Sequence, residues 1–267
     1  MIRKPVVANQ FYPGNPLSLL NMVKKFAIVT ENKQDAIAVV SPHAGYIYSG
    51  EVAGMTFANV NIPETVIILC PNHTGYGEKV SVMAAGNWEI PIGNIPVESE
   101  IAKELITLSP IISDDSMSHK YEHSIEVQLP FLYFFQKNIS IVPISVMHLS
   151  YTECEQVAEA LVTTIKKKSK KILLVASSDM NHYESHETTL KKDQIAIDAL
   201  LNLNPQKLYN EVMKNDISMC GVVPSTIALA AALKLGAKNA KLIAHKTSGD
   251  VNKDFSHVVG YAGIIIN

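Results

Sequence analysis

Cysteine is scarce in this chain. There are three in 267 residues, Cys70, Cys154 and Cys220, far apart and odd in number. That count excludes a disulfide framework and fits a reducing compartment. Long apolar runs are missing as well. No stretch reaches the roughly 18 uninterrupted apolar residues of a membrane span, so no membrane partner is expected. The opening Met1-Ile2-Arg3-Lys4-Pro5 lacks the apolar core of a signal peptide, and the expected location is cytoplasmic. Neither sign of charge is in excess: 23 Lys+Arg stand against 25 Asp+Glu, a formal net charge of −2. Nucleic-acid binders are normally strongly basic, so no nucleic-acid partner is expected either. The one dense basic run, Lys166-Lys167-Lys168-Ser169-Lys170-Lys171, falls between a helical and a strand pattern. It reads as a solvated helix end, where cations sit well beside the last carbonyls.

Other absences narrow the chemistry. There is no Gly-rich phosphate loop and no dinucleotide fingerprint. His-x-x-His and His-Glu-x-x-His spacings are also lacking, so any metal site has to be assembled from distant segments. No Ser/Gly/Pro-rich linker marks a boundary, and the chain reads as one domain spanning residues 1–267. At 47% hydrophobic and 18% charged residues, a chain this long buries roughly three quarters of its unfolded surface without staples.

Short apolar, β-branched runs alternate with stretches of helical period. The runs are Ala36–Ser41, Thr65–Cys70, Ile139–Val146, Lys171–Ala176, Ala240–His245 and Val258–Ile266. Being apolar on both faces, they suit strands covered by helices on either side. Tyr151–Lys168 sets Val157, Leu161 and Ile165 on one helical stripe. Glu98–Leu108, Ile125–Phe135, Thr188–Leu201 and Pro224–Leu235 read similarly, the last with Pro at its start and Gly236 just past its end. The alternation predicts an α/β sandwich with a central mixed, largely parallel sheet flanked by helices.

The nine histidines are not scattered. His43 follows one predicted strand through Pro42, and His73 follows another through Pro71 and Asn72; both open a His-x-Gly-Tyr tetrapeptide. Asp179 and His182 follow Lys171–Ala176, and His148 follows Ile139–Val146. Ligands of open α/β sheets bind beyond the carboxyl ends of strands, so these side chains are placed to share one crevice. Neutral imidazole is the commonest metal ligand, which makes His43 and His73 the leading pair. His148, at a helix start, reads as a cap or loop residue, and His186 and His257 as structural or exposed. His123 precedes Ser124, a candidate N-cap, and is placed to face the crevice. Cys220 lies just before the helix near Pro224, where a thiol pKa can fall and favour thiolate. A small buried hydrophobe is the alternative for Cys220, and the expectation for Cys70 and Cys154.

At these residues the chain resembles the Memo-like proteins. The resemblance is carried by Arg3-Lys4-Pro5-Val6-Val7-Ala8-Asn9-Gln10-Phe11-Tyr12-Pro13 and by Ser41-Pro42-His43-Ala44-Gly45-Tyr46 with Tyr48-Ser49-Gly50. Pro71-Asn72-His73, Glu122-His123-Ser124 and Ser177-Ser178-Asp179 with His182 continue it, as do Cys220-Gly221 and Ser248-Gly249-Asp250 with Val259-Gly260-Tyr261. It implies a fold similar to the class III extradiol, non-haem iron dioxygenases of the LigB type. It implies a metal site of His43, His73 and Cys220 holding iron or copper, with zinc also compatible. His182, with Asp179 beside it, matches the acid/base position, and His123 and Tyr46 are expected to face substrate. The microbial members are also called the B component of the AmmeMemoRadiSam system, which implies association with a radical-SAM protein. The vertebrate member is linked to motility signalling and phosphopeptide binding. One departure is chemical. The dioxygenases use two histidines and a carboxylate, whereas a thiolate is softer and shifts preference toward copper or zinc.

Three functions remain open at this point. One is a metal-dependent redox enzyme of unknown substrate. Another is a binding or accessory module that holds a small-molecule or phosphopeptide ligand with histidines and the amides of Gly45, Gly75 and Gly249. The third is a hydrolase with Cys220 as nucleophile and His182 as base.

Overall fold

A computed structural model describes residues 1–28 and 33–267. In chain order the strands are β1 Ile2–Arg3, β2 Ala38–Ser41, β3 Thr65–Pro71, β4 Val80–Val82, β5 Asn87–Ile90, β6 Gly93–Pro96, β7 Ile112–Asp114, β8 Ser140–Val146, β9 Ile172–Ser177, β10 His182–Glu184, β11 Ala240–Thr247 and β12 Val258–Ile266. The helices are α1 Pro16–Phe26, α2 Tyr46–Ala58, α3 Ser99–Leu108, α4 Leu129–Phe135, α5 Tyr151–Lys166, α6 His186–Leu201, α7 Pro205–Lys214, α8 Val222–Lys234 and α9 Gly249–Asn252. None of the described helices is long and apolar enough to cross a membrane.

The main sheet runs β10-β12-β2-β9-β3-β8-β4-β7, with β11 added on β12. Its centre, β2-β9-β3-β8, is parallel. β12 is antiparallel to β2, and β4 to β8, so the sheet is mixed toward its edges. The apolar runs explain this layering by their period of two. On β3, Ile67 and Leu69 enter one core while Val66, Ile68 and Cys70 enter the other. The first core is covered by α3, α5, α6, α7 and α8. The second is covered by α1, α2 and α4, with Trp88 and Ile95 of the small sheet β1-β5-β6. Crossovers leave to opposite faces at the middle of the sheet: β2-α2-β3 on the second core, β8-α5-β9 on the first. A crevice beyond the carboxyl ends of β2, β9 and β3 follows from that switch.

Local expectations are refined in three places. The predicted helix Ile125–Phe135 is broken into a 3-10 turn, Glu126–Gln128, and α4, whose second residue is Pro130. Ser124 does not cap it; its hydroxyl donates to Glu122 Oε1 at 2.5 Å instead. The lysine run lies at the end of α5 as expected, but its side chains pair outward. Lys168 meets Glu100 and Glu104 of α3, Lys170 meets Glu98, and Lys171 meets Asp35. Exposed pairs of this kind are screened by solvent and contribute little to stability.

His119, fully buried beside Trp88, has one ring partner: its Nε2 donates to the Ser81 carbonyl at 3.2 Å. Burial pushes its pKa down to about 4 from 6.5. A folded pKa below the unfolded one means the stabilisation is complete above pH 6.5 and is lost as pH falls toward about 4. His119→Gln is therefore expected to shallow the loss of unfolding free energy over that window by up to about 3 kcal/mol. Urea titrations of both proteins at pH 7, 5.5 and 4.5 check it, and parallel curves would refute it.

Candidate functional site

β2 ends at Ser41, and Pro42 turns the chain so that His43 sits over the end of β9. Its amide donates to Asp179 Oδ1 at 2.8 Å, and its ring nitrogen Nδ1 lies 2.9 Å from Ser177 Oγ. The Ser177 hydroxyl donates its single proton to the Ser124 carbonyl at 2.8 Å and accepts from Gln128 Nε2 at 2.8 Å. The proton between Ser177 and His43 must then belong to His43 Nδ1. Its other nitrogen, Nε2, is left with a bare lone pair, and Cys220 Sγ stands 3.3 Å from it.

His73 follows β3 through an Asx turn in which Asn72 Oδ1 accepts from the amides of Thr74 and Gly75. Gly75 has φ +71°, the left-handed region that glycine enters without a Cβ penalty. The His73 amide donates to Glu122 Oε2 at 2.6 Å. The rings of His43, His73 and His123 meet with centroids 4.9–5.5 Å apart, and one nitrogen from each lies within 4.8 Å of the others. His182 opens β10; its Nδ1 faces the Ser218 carbonyl at 2.8 Å, so that nitrogen carries the proton. Cys220 comes from the turn before α8. A Cβ on Gly221 would lie 2.5 Å from the Ser177 carbonyl, so glycine is what lets α8 abut the end of β9.

These side chains line a cavity of about 560 Å³ together with Asp179, and Phe11, Tyr183, Val259 and Tyr261 form its apolar wall. Phe11 packs edge-on against His123 with ring centroids 4.8 Å apart. Tyr183 is exposed at the rim with φ +61°, an unusual backbone state for a bulky residue.

The electrostatics divide the cluster. Burial, with repulsion from His123 and His73, drives His43 well below the ordinary imidazole value, so it is neutral. Burial works against ionising Glu122, but hydrogen bonding from His73 and the neighbouring imidazoles hold it far below the usual carboxylate range. Burial lowers His73, but the Glu122 carboxylate more than reverses this and raises it. Asp179 is pushed up to about 6, chiefly by burial. The Cys220 thiol is pushed up by burial and by Asp179. This corrects the expectation of a lowered thiol pKa at the start of α8. The amides of Asp179 and Gly221 and the Ser178 hydroxyl do favour the thiolate, but desolvation of the sulfur and the Asp179 carboxylate outweigh them.

Six of the seven sequence-derived site residues come together here: His43, His73, His123, Asp179, His182 and Cys220. Tyr46 does not. It is the first residue of α2 and turns into the second core, where its hydroxyl donates to the Val127 carbonyl at 2.7 Å and its ring packs on Phe131. His148 is exposed and does not line the cavity. Glu122, Ser177, Ser218 and Phe11 take part without having been singled out by residue type.

The fold and site define an α/β sandwich with an imidazole cluster at the carboxyl ends of its parallel strands. A profile of the Memo-like protein family matches residues 3–265. A MEMO1 family protein of Thermotoga neapolitana is 41% identical over 282 residues, with 100% of both chains covered. One of Sulfolobus acidocaldarius is 41% identical over 281 residues, with 99% of both covered. The chain belongs to the Memo-like family. Among solved structures, its fold is similar to that of the uncharacterized protein JW3007 from Escherichia coli K12. That likeness has a TM-score of 0.58 at 14% identity, covers 85% of this chain and 98% of the other, and concerns the fold alone.

With Tyr46 in the core, Tyr46→Phe is expected to lower stability by about 1 kcal/mol through the lost hydrogen bond and to leave ligand and metal binding at the cavity unchanged. Chemical denaturation and metal titration check it; weakened binding with unchanged stability would return Tyr46 to the site.

Proposed function

We propose that this chain is a metal-dependent redox protein acting on a small molecule, with His43, His73 and Cys220 holding a single iron or copper ion. The observation that carries this is the bare Nε2 of His43 at 3.3 Å from Cys220 Sγ. A nitrogen and a sulfur bound tetrahedrally to one ion, at about 2.0–2.1 and 2.3 Å, stand about 3.6 Å apart. The donor set therefore fits a metal with little rearrangement. Two imidazoles and a thiolate suit copper, zinc or iron by softness, and the raised thiol pKa means that binding releases the Cys220 proton. Bound there, the ion would supply one-electron chemistry or Lewis acidity at the floor of the cavity.

The chain's own groups divide the remaining work. His182 has Nδ1 committed to Ser218, so Nε2 is the atom that accepts or returns a proton at the cavity. Asp179, pushed up to about 6, holds the His43 and Ala44 amides and can exchange a proton near neutral pH. Phe11, Val259 and Tyr261 exclude water from one wall. His123 faces the bound molecule.

The phosphopeptide reading is less well supported. Among the described residues lining the cavity none is Lys or Arg, the side chains that normally hold phosphate. Of the three glycine amides it would draw on, that of Gly75 is taken by Asn72 Oδ1, and Gly249 does not line the cavity. A cysteine hydrolase is also disfavoured, because burial keeps the Cys220 thiol protonated and its neighbour is His43 rather than His182.

Protein purified anaerobically without added metal is expected to carry a single equivalent of iron or copper by elemental analysis. The double variant His43→Ala/His73→Ala is expected to carry none while keeping its circular dichroism. Metal retained in that variant would remove the assignment.

A further inference from the structure

We propose that Glu122 is the positioning residue of this centre, a carboxylate that takes the Nδ1 proton of His73 beside His123 and so leaves the His73 Nε2 lone pair for the cavity. The proposal rests on the metal-site reading above. Glu122 is 0% exposed. Its Oε1 stands 3.0 Å from His73 Nδ1 and 3.4 Å from His123 Nδ1. The other groups around the carboxylate are the Ser124 amide at 2.9 Å, the Ser124 hydroxyl at 2.5 Å and the His73 amide at 2.6 Å, all of them donors to it. An ionised carboxylate has no proton to give, and the Ser124 hydroxyl, 3.2 Å from His73 Nδ1, spends its own proton on Glu122, so His73 must present N–H at Nδ1; His123 Nδ1 lies beside the carboxylate without a hydrogen bond to it. In a neutral imidazole that leaves Nε2 as the bare nitrogen.

Ring geometry carries the consequence into the cavity. His73 and His123 lie 24° from parallel with centroids 4.9 Å apart. The imidazole that Glu122 holds is therefore the one on which His123 stacks. His43, tied separately to Ser177, meets both edge-on.

Charge gives a second and independent argument. Among the described residues, only the imidazoles of His73 and His123 are paired with the Glu122 carboxylate; Arg3 pairs with Glu126 and gives Glu122 only a bond to its backbone carbonyl. A buried carboxylate without a permanent cation partner is costly. A cation held on the far nitrogens of the same two rings is the compensating charge, in the manner of a carboxylate–histidine–metal chain.

The test combines cobalt(II) titration with NMR of the metal-free protein. Wild type is expected to bind a single equivalent of cobalt with a thiolate-to-cobalt absorption band from Cys220. Glu122→Gln, which keeps shape and loses charge, is expected to weaken the Kd by roughly 10–100-fold while the band at saturation persists. Tyr46→Phe, which removes a buried hydrogen bond outside the cavity, should leave the Kd unchanged. Should Glu122→Gln fail to fold, Glu122→Asp, shorter by a methylene, is expected to give an intermediate Kd. A wild-type Kd in the Glu122 variant, or equal weakening by Tyr46→Phe, overturns the proposal. Long-range nitrogen–proton spectra of the metal-free wild type, at a pH alkaline enough to leave His73 neutral, should show it as the Nδ1–H tautomer, and Nε2–H there overturns the proposal whether or not metal binds. That tautomer in a protein that takes up no cobalt would sink the metal reading and leave the positioning role standing.

Discussion

Two buried carboxylates, Glu122 and Glu126, determine how the rest of this molecule is arranged. Neither is exposed, and burying an ionised carboxylate costs several kcal/mol unless donors and counter-charges surround it. Glu126 is satisfied entirely by the N-terminal segment. It pairs with Arg3, accepts from the amides of Val6 and Val7 at 2.9 and 3.1 Å, and accepts from the Tyr12 hydroxyl at 2.5 Å. Arg3 also donates to the carbonyls of Glu122 and His119 and lies over the Trp88 ring. The segment 119–126 therefore has a low-energy buried state only when residues 3–12 return to it. The functional consequence is direct, because that return delivers Phe11 to the cavity wall. It also sets the Phe11 carbonyl 2.8 Å from the Tyr46 amide, which satisfies an orphan donor at the start of α2.

How much of this is legible in the sequence varies with the kind of signal. Runs that are apolar on both faces mark β3, β8, β9 and β12 to within a residue or two, because a strand buried on both sides has no freedom to be anything else. The 3.6 period marks α5 equally well, down to the Ser150 cap and Glu153 that complete a capping box. Nothing in the apolar pattern marks α2. It is buried nearly all round, so no polar stripe outlines a face, and Gly50 and Gly54 lower its helix propensity. Those glycines are there for packing. A Cβ on either would fall within 2.8 Å of Phe26, so α1 lies directly against α2 only because both are bare. The short strands β4 to β7 carry too few residues for a period to show.

The site divides along the same line. His43, His73 and His182 are readable because strand ends in an α/β sheet converge, and position relative to a strand is a local property. Tyr46, three residues beyond His43, fails for a local reason too. By then the chain has entered a helix, and the side chain direction is set by the turn of α2 rather than by the strand end. Glu122 and Ser177 are harder to find, since what they do depends on which groups three-dimensional closure brings to them. Each looks like an ordinary polar residue until its partners are known.

Cys220 is the most instructive residue, because two arguments about it point in opposite directions. A position just before a helix favours thiolate, and burial favours thiol. Burial wins: the amides of Asp179 and Gly221 favour the thiolate, but shielding of the sulfur from water and the neighbouring Asp179 outweigh them. A thiol of this kind is inert toward oxidants and electrophiles in the metal-free protein. A bound cation reverses the balance, because deprotonation then creates an ion pair instead of an isolated buried charge. The close approach of α8 to β9, permitted by the missing Cβ of Gly221, thus both hides the sulfur and sets it 3.3 Å from His43 Nε2. The convergence of strand ends is a property of the fold, whereas the placing of a sulfur beside His43 depends on this one contact. A shared fold at 14% identity therefore says little about reaction chemistry, which turns on the residue at the start of α8.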